Sequence, residues 1–203
     1  IHFFVNKAII ELSLVKAAES GDDNALDVFW QEVDHLRDLF KFEFFYSPTE
    51  EFHREIRAEM AHYGDDWEAL VAQGSAGVGQ LLDKMTPMFA HVTLLTYAEA
   101  YTVVASMLAR MEPFEGLDES ECIAQSLKYG RQAYLQRRIS SESSIGKLLF
   151  KNGFKTLQSR GLADGGPDNI KEQRMDLVRE LRDLQRRIDV VRAIGVSNRG
   201  ARP

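Results

Sequence analysis

A chain of 203 residues with 44% hydrophobic and 28% charged residues is long enough to bury a real core and has the balance of an ordinary globular domain. Its net charge is -6, which disfavours a nucleic-acid partner, and its one cysteine, Cys122, excludes an internal disulfide and a cysteine-rich zinc site.

The opening "IHFFVNKAII" lacks the basic start and cleavage site of a signal peptide. It enters apolar periodicity at once, as a piece cut from a longer protein would. Phe3, Phe4, Val5, Ala8, Ile9, Leu12 and Val15 recur at helical spacing and predict a helix over 2–18. "SGDDN" at 20–24 breaks it, and a second helix is expected over 25–43. The aromatic run Phe40, Phe42, Phe44, Phe45 and Tyr46 reads either as core against a central helix or as a surface for lipid or an acyl chain. Ser47, Pro48 and Glu50 form a start signal, with Ser47 as cap and Glu50 closing a capping box, for a helix to about Tyr63. "QGSAGVG" at 73–79 reads as a flexible joint or a weak interruption between helical pieces.

Pro87 opens a long central helix over about 88–111. Glu99 lies in its middle, where a bilayer would penalise charge, so burial by other helices is expected rather than a membrane span. Arg110 and Arg131 are candidate partners for Glu99. Pro113 and Gly116 mark a turn, and Asp118 with Glu121 caps a helix to about Arg138. Ser140 or Ser141 then caps a helix to Arg160, which Gly161 stops. "ADGGPD" at 163–168 is a loop. The last helix covers about 169–194, with Leu177, Leu181, Leu184, Ile188 and Val191 as a heptad-like seam. The fold class is all-α: an irregular multi-helix bundle with a long central and a long C-terminal helix over 1–195, then a disordered tail over 196–203.

Positive charge concentrates in "LQRRISSESSIGKLLFKNGFK", 135–155. Between Lys128 and Arg160 stand eight basic residues and one acid, Glu142, a local charge of +7. Lys147, Lys151 and Lys155 share a helix face. Serines at a helix start, where free N–H groups and the helix dipole favour anions, suggest a receiving surface for phosphate, lipid headgroup or acidic partner. Arg137, Arg138, Ser141, Ser143 and Lys147 are the candidate contacts. The plainer reading is a solvated basic face with an ordinary serine cap.

The segment "RRISSESSIGKLLFKNGFKTLQSRGL" resembles the closing region of the bacterial membrane-bound glycerol-3-phosphate 1-O-acyltransferase family. "IHFFVNKAIIELSL" at 1–14, "LRDLFKFEFFYSPTEEFHREI" at 36–56 and "LTYAEAYTVVASML" at 95–108 are similar to other family blocks, in the family's order. The resemblance implies the C-terminal domain of an enzyme that moves a fatty acyl group from acyl-CoA or acyl-carrier protein to glycerol 3-phosphate, giving lysophosphatidic acid. It implies no cofactor beyond the acyl donor. It also implies an upstream catalytic domain as partner, and peripheral attachment at the cytoplasmic face of an anionic membrane.

The family's catalytic His-x-x-x-x-Asp, in which a carboxylate orients a general base, is absent. Asp65 and Asp66 follow His62 at three and four residues, so the spacing misses by one, and His62 reads as the polar end of a surface helix. The catalytic residues are expected upstream. "FEGLDES" at 114–120 lacks the arginine of the family's phosphate-binding block and reads as a loop. There is no P-loop, dinucleotide fingerprint or nucleophile elbow, and no metal site is expected. The other class open to the sequence is a non-enzymatic helical interaction or membrane-surface module.

Overall fold

The computed structural model describes residues 2–21 and 24–200, and every long element among them is an α-helix. The chain divides into two compact units, one formed by residues 1–94 with 186–203, the other by 95–185.

The first unit is built on helix α1 (His2–Glu19), which packs against α2 (Ala25–Leu39), α5 (Ser75–Lys84) and α6 (Ala90–Thr93). Val5, Ala8, Ile9, Ile10, Leu12, Leu14 and Ala17 are all buried, so α1 is apolar on most of its circumference, as a central helix must be. Helix α2 is amphipathic instead: Ala25, Phe29, Val33, Leu36 and Leu39 are buried at helical spacing. It stops at Leu39, short of the expected 43. Of the aromatic run that follows, Phe40 is core, whereas Phe45 is 91% exposed. Tyr46 packs edge-on against Phe52 of α3 (Thr49–Ala61), at 5.4 Å, rather than against a central helix.

The capping box expected at Ser47 does not form. Pro48 occupies the cap position without a side-chain bond, and Ser47 Oγ donates to Glu55 Oε1 at 2.5 Å. The segment 73–79 is an interruption between helical pieces rather than a flexible joint. Gly74, at φ 65°, turns the chain between α4 (Trp67–Ala72) and α5. Gly77 lies inside α5, where a Cβ would stand 1.9 Å from the Leu70 carbonyl oxygen, so the two helices approach closely because no side chain intervenes.

Two buried acids tie this unit together. Glu11 accepts from the N–H groups of Phe89 and Ala90, at 2.9 and 2.7 Å, and so starts α6. Burial pushes its pKa up to about 7, against the lowering effect of those bonds and of Lys7. Glu32 accepts from Arg187 at 2.7 Å, and both side chains are almost wholly buried.

In the second unit α7 (Leu95–Leu108) packs against α8 (Glu119–Leu135) and α9 (Lys147–Ser159). The single central helix expected over 88–111 is therefore two helices, α6 and α7, with the backbone leaving helical φ at Leu94. Gly153 lets α9 approach Tyr101 of α7, whose ring carbon is 3.1 Å from where a Cβ would sit. Arg174 is fully buried. Its Nε donates to the Leu162 carbonyl and its Nη2 to the Asp164 carbonyl, each at 2.9 Å, and Nη2 also donates to Glu115 O at 3.2 Å. One guanidinium thus ties two loops together through their carbonyls.

The last helix, α10 (Ile170–Gly200), contributes 170–185 to the second unit and 186–200 to the first. The seam residues Leu177, Leu181, Leu184, Ile188 and Val191 are all buried, as their spacing predicts. The helix continues to Gly200, beyond the expected boundary at 195, and residues 201–203 lie outside those described.

Candidate anion-binding site

Helix α8 begins where the sequence says it should: Asp118 Oδ1 accepts from the Glu121 N–H at 2.9 Å. Its other end is unusual. The Arg137 N–H bonds the Tyr134 carbonyl at 2.9 Å and the Arg138 N–H bonds the Ala133 carbonyl at 2.8 Å. This is a Schellman closure, and it puts Arg137 in the left-handed region at φ 56°. Helix α9 closes in the same way, with Gly161 at φ 70° bonding Gln158 and Leu162 bonding Leu157. A glycine takes that conformation without penalty, whereas an arginine pays roughly 1–2 kcal/mol for it.

The chain then dips inward at Ile139 and is held by Glu99. This buried carboxylate accepts from the Ser140 N–H at 2.6 Å and from the Ser144 hydroxyl at 2.5 Å. Its partners are a backbone amide and a hydroxyl, not Arg110 or Arg131. The expected helix from Ser140 or Ser141 is replaced by a 3₁₀ turn over Glu142–Ser144, and α9 starts only at Lys147, with Gly146 as its cap. Ser141 caps the 3₁₀ turn, accepting from the Ser143 N–H at 3.1 Å, and the two hydroxyls lie 2.6 Å apart.

The five predicted contact residues are therefore divided. Ser141 and Ser143 bond each other in their own turn and do not stand at the start of α9. Arg137, Arg138 and Lys147 are exposed. Further along, the basic face is partly answered from within the fold: Lys151 pairs with Glu119 at 3.1 Å and Arg160 with Glu180 at 2.9 Å.

Arg138 lines a cavity of about 370 Å³ together with Thr102, Tyr129, Arg182 and Gln185, over Val103, Ala133 and Ile139. No carboxylate lines it, and among the described residues neither Arg138 nor Arg182 forms an ion pair. Tyr129 Oη accepts from Arg110 Nη2 at 3.4 Å and lies 3.5 Å from Arg138 Nη1. The Arg110 guanidinium also sits over the Tyr129 ring, 4.5 Å from its centroid. Arg110, Tyr129 and Arg182 were not among the residues singled out for anion contact. Arg182 follows Arg179 and precedes Arg186 on the same helix, but Arg179 pairs with Asp176 and Arg186 with Glu19. Only the packing distinguishes Arg182 from them.

No described helix is long and apolar enough to cross a membrane. The family described as glycerol-3-phosphate acyltransferase C-terminal region matches residues 1–165. Proteins named "Putative acyltransferase plsB1" from Mycobacterium bovis and Mycobacterium tuberculosis are 31% identical over 194 residues, covering 94% of this chain. The chain spans about 31% of the length of those curated relatives. No solved structure matches it.

Proposed function

The chain belongs to the family of glycerol-3-phosphate acyltransferase C-terminal regions, and from that premise we propose that it is the helical C-terminal part of an enzyme forming lysophosphatidic acid. The enzyme transfers a fatty acyl group from acyl-CoA or acyl-carrier protein to the first hydroxyl of glycerol 3-phosphate. The observation that carries this reading is the match along 1–165, with relatives named as acyltransferases that are about three times as long. The chain holds no His-x-x-x-x-Asp, so the general base and its orienting carboxylate belong to the upstream part of the protein.

On this reading the second unit presents cations to the phosphorylated substrates or to an anionic membrane surface. Arg137, Arg138 and Lys147 serve that role directly. Ser141 and Ser143 serve it by holding the turn between Arg138 and Lys147. Leu135 and Leu148, 81% and 69% exposed, flank these cations with apolar surface, which suits peripheral contact with the cytoplasmic leaflet.

The test is acyl transfer to labelled glycerol 3-phosphate by the full-length protein, with acyl-CoA and acyl-carrier protein offered separately. Lysophosphatidic acid is the expected product with at least one donor, and its absence with both would remove the reading. The variant R137A/R138A should raise KM for a phosphorylated substrate or weaken sedimentation with anionic vesicles. Unchanged kinetics and unchanged sedimentation would remove the anion-contact role.

A further inference from the structure

The cavity beside Tyr129 carries two cations and no acid in a chain whose net charge is -6. Exposed arginines elsewhere on α10 find carboxylates: Arg179 has Asp176 and Arg192 has Asp189. Arg182 and Arg138 line one cavity and have none among the described residues. A third guanidinium, that of Arg110, stacks on the Tyr129 ring, and the phenol oxygen lies within 3.5 Å of both Arg110 and Arg138. Tyr129 thus holds two like-charged groups near one another by offering each a shared acceptor.

The backbone contributes as well. Arg138 emerges directly after a left-handed Arg137, in a closure where glycine would be easier. That turn carries the chain from the end of α8 into buried Ile139 and so places Arg138 over Ala133 at the cavity wall. The floor is Val103, Ala133 and Ile139. The Thr102 hydroxyl and the Gln185 amide, 2.5 Å apart, add a polar edge. A volume of about 370 Å³ exceeds what a bare phosphate fills and falls in the range of small-molecule sites.

We propose that this cavity binds a phosphomonoester, with Arg138 and Arg182 on the phosphoryl oxygens, Arg110 held nearby by Tyr129, and the apolar floor under the ester group. Guanidinium groups match phosphate oxygens with paired, charge-assisted hydrogen bonds, and a cavity without carboxylates leaves them free to do so. The site stands on its own charge and geometry, and the identity of its ligands rests on the acyl-transfer reading. Two sources share the chemistry: glycerol 3-phosphate, and coenzyme A through its 3′-phosphate.

The test uses the full-length protein, with hydrogen exchange read on peptides covering 102–106, 129–139 and 182–185. Inorganic phosphate, glycerol 3-phosphate and coenzyme A are added in separate arms. At least one of the two esters should slow exchange in these peptides at a lower concentration than inorganic phosphate does. The arm that acts at the lowest concentration identifies the source. In R138A/R182A the concentration needed should rise about tenfold or more, while the circular dichroism spectrum stays unchanged. Y129F should give a smaller weakening, because it removes the shared acceptor but neither cavity arginine. No protection by either ester, or protection that persists unchanged in R138A/R182A, would overturn the proposal.

Discussion

The Glu99 carboxylate and the Ser144 hydroxyl lie 2.5 Å apart inside the second unit, and the same carboxylate holds the Ser140 N–H at 2.6 Å. This pair anchors the segment between α8 and α9 to the middle of α7. Ser144→Ala removes one charge-assisted bond from a buried carboxylate and should cost about 1.5–3 kcal/mol. Glu99→Ala strands both donors and should cost more. Urea unfolding of the two variants checks this, and a Ser144→Ala protein as stable as the parent would contradict the anchoring role.

Glu11 makes the first unit sensitive to pH. Its folded pKa is raised to about 7 by burial, whereas the unfolded carboxyl titrates near 4.5. Between those values the folded state binds the proton and the unfolded chain does not, so stability falls as pH rises. The contribution is fully present below about pH 4.5 and is lost as pH passes about 7, with a change on the order of 3 kcal/mol. Urea midpoints at several values across that window should decline for the parent. Glu11→Gln should flatten the decline, and an equally steep decline in that variant would exclude Glu11 as its source.

The two left-handed closures make opposite predictions. Arg137→Gly relieves a side chain at φ 56°. It should raise stability by up to about 1 kcal/mol, the strain relieved being partly offset by the greater freedom of glycine in the unfolded chain. Gly161→Arg, at φ 70°, should lower stability by a similar amount. Thermal unfolding of both variants tests the pair. If Arg137→Gly also raises KM for a phosphorylated substrate, the strained arginine is kept for contact rather than for the turn.

The buried pair of Arg187 and Glu32, 2.7 Å apart, should be costly to break and cheap to replace. Glu32→Ala leaves a guanidinium buried without its carboxylate and should cost about 3–5 kcal/mol. Replacing both residues with leucine should recover most of that loss. A double-mutant cycle in urea measures the coupling, and additive single losses would show that the pair is not coupled.

Much of this protein could be read from local spacing. The seam from Leu177 to Val191, the Asp118 cap and the Gly161 stop all stand where the sequence places them. Each depends on residues within one or two turns of each other, so the information is contained in a short window. Even there, local signals lost where a longer-range partner competed. Ser47 turned from its cap to Glu55. The serines expected to start α9 at 140–141 were drawn into a turn fastened to Glu99.

The ordered family blocks and the basic excess between Lys128 and Arg160 were likewise visible in the sequence, because charge and block order are properties of the chain itself. Which cations remain without an acid was decided only by packing. Tyr129 on α8, Arg138 just beyond its end and Arg182 on α10 meet at one cavity, and Arg110, which follows α7, stacks on Tyr129 beside it. A charge is neutralised by whatever lies a few ångströms away in space, and sequence distance does not measure that.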